Sequence, residues 1–283
     1  MIYLALSILS STGIFIIFKL FNRYKIDTLQ GIVINYITAC ICGLFHNDKG
    51  FNPEEIISSK WFIGVIALGF LFIAVFNVMA LTAQKNGLSV ASVASKMSVI
   101  IPIIFGLYVY NESLNIQKIV GIIIALIAVY LTSIKQKDTS VITQNLYLPL
   151  LLFFGSGIID TSINYFAPDD RIPLFSALIF GVAFIIGGAI LIYKELKLQK
   201  KFQLRSVPLG VTLGLVNYAS IYFLLKALRV DDLESSTIFT VNNVAIVAVS
   251  TLVGLFVFRE RISMRNWLGI TLALISIVLV TLA

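Results

Sequence analysis

Two ionisable side chains stand where an apolar sequence would exclude them. Of 14 acidic and 21 basic residues, only Asp160 and Lys96 lie well inside long hydrophobic runs. A charge held in hydrocarbon costs about 2.5–3.5 kcal/mol on insertion scales, and side chains kept there usually serve a pathway. The two chemistries differ. A carboxyl group without hydration favours its neutral form, so Asp160 is read as a group that takes up and releases a proton. An ammonium group holds an anion, so Lys96 is read as a binder of a negatively charged group. A direct ion pair is the competing explanation. Counting from the ends of their runs at about 1.5 Å per residue, Lys96 lies roughly 12 Å deep and Asp160 roughly 21 Å deep. Upright helices would hold them apart, while tilt or a bridging water would join them.

Hydroxyl and amide side chains accompany these ions. Ser89, Ser92, Ser95 and Lys96 recur every three to four residues and share one helix face, as do Thr237, Thr240 and Asn243. Such stripes either line a polar cavity or bond to their own helix carbonyls and to neighbouring helices. The matched pair of stripes favours cavity lining, with Ser92, Ser95, Thr240, Asn243, Asn217 and Tyr222 as substrate contacts. Asn35, Asn77 and Tyr218 are weaker candidates, and Ser156 and Asn164 share the face of Asp160. Glu112 and Glu260 each follow an apolar run at a short charged break. Water reaches such a hairpin, so they are read as structural, each capping the N-terminus of the next helix. No residue is assigned a catalytic or metal-binding role. The one histidine, His46, has no partner set for hydrolysis. Cys40 and Cys42 have no zinc spacing and read as small buried hydrophobes.

These residues must be positioned by helices in lipid. The chain is 59% hydrophobic and 12% charged, against about 25% charged in soluble domains. A chain of this length has too little interior to hide that surface from water. The net charge of +7 fits loops facing anionic lipid rather than nucleic acid, because no basic stretch is interleaved with exposed aromatics. Ten apolar segments are predicted: 2–20, 28–45, 61–82, 88–110, 116–133, 146–166, 173–193, 207–228, 233–258 and 263–283. Pro53-Glu54-Glu55 reads as the first turn of a short surface helix between the second and third segments. Trp61 marks a water boundary. Gly181, Gly187 and Gly188 permit close helix contact in the seventh segment.

The sequence repeats at an offset of 148 residues. Ser89, Ser92, Ser95, Pro102, Gly106, Glu112 and Gly121 correspond to Thr237, Thr240, Asn243, Ser250, Gly254, Glu260 and Gly269. A fixed offset of about half the length marks a duplication. The expected units are residues 1–134 and 146–283, joined by a polar linker over 135–145. Five spans per unit is an odd number, so the halves must face opposite ways. The expected fold is an all-α membrane protein of ten transmembrane helices in two inverted five-helix repeats.

The hairpin copies, Pro102…Gly106…Glu112-Ser113-Leu114…Gly121 and Gly254…Glu260-Arg261-Ile262…Gly269, resemble the doubled signature of the EamA-like permeases of the drug/metabolite transporter superfamily. Ser250 replaces the proline expected in the second copy. The resemblance implies a multi-pass carrier of the cell (inner) membrane that moves a small organic metabolite, with export favoured over uptake. Lys96 points to an amino acid or other carboxylate as cargo. The expected partners are that substrate, the bilayer and protons, with no cofactor and no nucleic acid. Uptake of a sugar or nucleotide-type metabolite, a passive channel and an intramembrane enzyme are the alternatives. The odd-numbered loops hold more than twice the Lys and Arg of the even-numbered ones. The positive-inside rule therefore assigns them to the cytoplasm and both termini to the outside, whereas the resemblance favours cytoplasmic termini.

Overall fold

A computed structural model describes residues 2–48, 50, 52–109, 116–133, 147–168, 171–198, 202–228, 235–260 and 263–281. Twelve helices run in chain order, and no strand occurs among the described residues. In the first half these are α1 (Ile2–Arg23), α2 (Thr28–Phe45), α3 (Pro53–Ser58), α4 (Trp61–Lys85), α5 (Leu88–Met97), α6 (Ile100–Val109) and α7 (Ile116–Ser133). In the second they are α8 (Tyr147–Phe166), α9 (Ile172–Leu198), α10 (Ser206–Ala227), α11 (Ser235–Phe256) and α12 (Met264–Thr281). Five of them, α1, α2, α4, α9 and α10, are long and apolar enough to cross a membrane. The hairpin around Glu112 and the linker 135–145 lie outside the described residues.

Local chemistry sets the helix starts. Asp27 caps α2 by accepting from the amides of Leu29 and Gln30 at 3.1 and 3.2 Å. Asn52 caps α3, with Pro53 in its first turn, where a missing N–H costs nothing, and Glu54 and Glu55 at its positive end. Glu55 is also paired with Arg171, just before α9, at 2.7 Å.

The fourth apolar run departs from expectation: it is two helices, broken at Ser98–Val99. Pro102 explains the break. Its ring would clash with the carbonyl of Ser98 in a continuous helix, and it has no amide to donate there. The Ser98 hydroxyl also bonds to the carbonyl of Ser95. At the equivalent place α11 carries Ser250, whose Oγ donates to the Val247 carbonyl at 3.1 Å, and α11 continues unbroken for 22 residues.

Packing crosses between the halves. α2 lies against α9 and α10, α1 against α10 and α11, α4 against α8 and α9, α5 against α8 and α11, and α7 against α12. A large core joins the first of these groups through Phe18, Phe21, Tyr36, Leu68 and Phe180, all fully buried. The Tyr36 hydroxyl is satisfied by the Phe72 carbonyl at 2.7 Å. Close approach of α10 to α2 depends on Gly214. A Cβ there would lie 2.5 Å from Thr38 Cβ and 2.6 Å from the Asn35 carbonyl oxygen. Gly214→Ala is therefore expected to force the two backbones apart and lower stability by about 1–3 kcal/mol. Gly188, with nothing within 4 Å of its added Cβ, supplies the control. In detergent, Gly188→Ala should melt at or above the parent temperature and Gly214→Ala clearly below it.

Candidate functional site

The helices of both halves enclose a cavity of about 130 Å³ that contains both unusual ions. Lys96 and Ser95 reach it from α5, in the last turn before the break. Asp160 and Ser156 reach it from α8, one helical turn apart. Ser11 contributes from α1, and Asn217 and Ser220 from α10. Its apolar wall includes Phe15, Phe72, Phe76 and Met79. On one side the cavity extends along α10 to Leu228, the residue that ends that helix.

Lys96 and Asp160 are each part-exposed, and the space that exposes them is this cavity. No direct ion pair within 4.0 Å joins them among the described residues. The two side chains thus face one space without meeting directly. The helix break also favours the lysine. Lys96 sits at the C-terminal end of α5, where the partial negative charge of the unpaired carbonyls suits a cation.

Around these ions the polar groups are cross-linked. Ser95 Oγ and Ser156 Oγ are 3.2 Å apart, joining α5 to α8. Asn217 donates to Asn35 Oδ1 at 3.1 Å, joining α10 to α2, while still facing the cavity. Ser7 donates to Asn242 Oδ1 at 3.1 Å, joining α1 to α11.

Of the residues singled out in the sequence, Lys96, Ser95, Asn217, Asp160 and Ser156 share the cavity. Ser92, Asn77, Asn243 and Tyr222 lie outside its lining. Ser92 is fully buried and donates to the Ser89 carbonyl at 3.0 Å, the back-bonding alternative weighed for these hydroxyls. Asn77 likewise donates to the carbonyl of Ile73 at 2.7 Å. Asn243 is buried in α11, away from the cavity lining. The side chains of Thr240 and Asn164 lie outside the described residues, as does Glu112. Tyr222 faces α2 rather than the cavity, because it shares a helix face with Tyr218. Its ring centroid is 4.4 Å from that of His46 and 5.9 Å from that of Tyr218, and the Tyr218 hydroxyl meets His46 Nδ1 at 3.1 Å. Ser11, Ser220 and the four apolar wall residues were not anticipated. The spacing of Asn217 and Ser220 on one face was the available signal for one of them.

Glu260 corrects the sequence reading in a specific way. It does not cap the next helix: Ser263 does that, its Oγ accepting from the Asn266 amide at 3.2 Å. Instead Glu260 Oε1 accepts from the Leu88 amide at 2.9 Å, capping α5 in the other half of the chain. Arg259, with φ of 51°, turns the chain back after α11, and the carboxylate passes beneath that helix end to reach α5.

Among the described residues, helices long and apolar enough to cross a membrane surround an internal cavity that holds a lysine and an aspartate, an arrangement that suits a membrane transporter. Residues 1–134 match the sequence model of the EamA-like transporter family. It is 30% identical over 281 residues to an uncharacterized protein of Haemophilus influenzae, covering 97% of this chain and 95% of that one. A crystal structure of a protein that is 13% identical has the same fold, with a TM-score of 0.62, over 99% of this chain and 96% of that one.

Proposed function

We propose that this chain is a secondary active transporter that exports a small organic metabolite, an amino acid or another carboxylate, by alternating access coupled to protons. The observation that carries this reading is the cavity itself: a cation and a carboxyl group, not directly paired, facing one space between both halves of the chain. Lys96 binds the negative group of the substrate and Asp160 carries the proton. The apolar wall takes the rest of the cargo. At about 130 Å³ the space compares with the engineered cavity of about 150 Å³ that admits benzene, which favours a cargo of few heavy atoms over a nucleotide.

The helix contacts support an inverted repeat. The most extensive contacts between the halves have counterparts when the spans are exchanged with their equivalents. α1 with α10 answers to α8 with α4, and α2 with α10 answers to α9 with α4. Two such halves supply two related shapes, one open to each side.

Purified protein in liposomes tests the class. A carrier saturates and shows counterflow of labelled substrate; linear, non-saturating flux would mark a channel and overturn the proposal. A thermal-shift screen over small carboxylates and amino acids identifies the cargo, because a ligand that binds the native state raises its melting temperature. For location, we place the chain in the cell (inner) membrane with the odd-numbered loops in the cytoplasm, on the basis of their charge. A C-terminal phosphatase fusion is expected to be active and a fluorescent-protein fusion dark; the reverse pair of results reverses the orientation.

A further inference from the structure

On the side of the odd-numbered loops, four helix ends meet at one carboxylate. Glu260 Oε1 lies 2.8 Å from Lys19 Nζ, near the end of α1. The same oxygen accepts from the Leu88 amide at the start of α5, and Oε2 is 3.5 Å from Ser89 Oγ. Lys19 Nζ also lies 3.4 Å from the carbonyl of Ala83, near the end of α4. The ion pair is mostly shielded, with 20% and 13% of the two side chains exposed. Space for the carboxylate is built in. A Cβ on Gly254 would come within 2.8 Å of Oε2, and one on Gly87, whose φ is +108°, within 3.2 Å.

Between this junction and the cavity the pathway is plugged. Phe18 and Phe21 are fully buried and meet edge to face at 5.7 Å, and Phe18 meets Phe76 of the cavity wall at 5.8 Å. The opposite end of the cavity runs out to Leu228. The junction therefore closes one end of a cavity whose other end approaches the even-numbered loops. Its partners come from both halves, α1, α4 and α5 from the first and the end of α11 from the second. Separation of the halves on that side must break it.

We infer that Lys19, Glu260 and the N-terminus of α5 form an ionic latch that holds the odd-loop side of the transport pathway shut. The inference rests on the alternating-access reading. A carboxylate that accepts from a helix N-terminus and pairs with an ammonium makes charge-assisted bonds, which are stronger than neutral ones and depend on geometry. Because α5 carries Leu88 at one end and Lys96 at the other, release of the latch and movement of the substrate-binding lysine are carried by one short helix.

Thiol accessibility tests the latch without knowledge of the cargo. Cys40→Ala and Cys42→Ala remove the native thiols, Met79→Cys reports from the cavity wall, and Tyr24→Cys in the first loop marks the odd-loop side. A membrane-impermeant thiol reagent is applied to intact cells and to inverted vesicles. With the latch intact, Met79→Cys should react from the even-loop side only. Lys19→Met, Glu260→Gln and Gly254→Ala break the latch by three independent routes, and Glu260→Gln keeps an acceptor for Leu88. Each should accelerate labelling from the odd-loop side about tenfold, equivalent to roughly 1.4 kcal/mol of lost preference for the closed form. The latch is overturned if any of these variants elutes as folded protein yet labels from that side at the parent rate. If Met79→Cys is reached from neither side in any variant, the alternating-access reading fails and the latch with it.

Discussion

Asp160→Asn is expected to abolish pH-driven accumulation while leaving substrate binding and counterflow in place. Asparagine keeps the size and much of the hydrogen bonding of the carboxyl group but can neither gain nor lose a proton. A carboxyl group that shares its cavity with Phe15, Phe72 and Phe76 has little water to support its charge. Its protonation then follows the water that reaches it from whichever side is open. Counterflow exchanges labelled for unlabelled substrate and needs no net proton movement, so it survives. The measurement is uptake into vesicles with and without an imposed pH gradient. Gradient-driven accumulation by Asp160→Asn at the parent level would remove the aspartate from the coupling role.

Lys96→Ala should weaken binding of anionic and zwitterionic substrates far more than that of neutral analogues. Loss of a charge-assisted hydrogen bond costs about 1.5–3 kcal/mol, which is roughly a ten- to hundredfold rise in Kd. Lys96→Ala should also leave the proton response of whatever substrate still binds. The double variant separates this assignment from a mutual ion pair. If each group works for a different partner, the two losses appear in different measurements. If the single variants and the double variant all lose binding alike, the residues act as one buried pair and the division of roles is wrong.

How far the sequence led can be seen residue by residue. The apolar runs marked most helix ends to within a few positions, because hydrocarbon admits nothing else at that length. Pro53-Glu54-Glu55 announced α3 through the chemistry of a helix first turn alone. Lys96 and Asp160 stood out because an ion in an apolar run is conspicuous at any rotation of its helix. The faces of α10 were not legible. In lipid both the outward and the inward sides of a helix are apolar, so no amphipathic stripe distinguished Tyr222, turned to α2, from Ser220, turned to the cavity. Neither was the target of Glu260. Short-range rules point a carboxylate at the next helix, and only the three-dimensional meeting of the halves brings Leu88 to it. The break after α5 was encoded by Pro102, but its consequence follows from which carbonyl the ring would strike.

That break has a thermodynamic meaning. Two halves related by strict two-fold symmetry would give inward-open and outward-open forms of equal energy, and an empty carrier would divide its time evenly between them. Pro102 in one half against Ser250 in the other removes that degeneracy, since one helix is split where its counterpart is continuous. A difference of about 1.4 kcal/mol is enough to place roughly ten molecules in one form for each in the other. In the proposed carrier the resting state is therefore set partly by one proline ring, whose break in the helix directly follows the turn that carries Lys96.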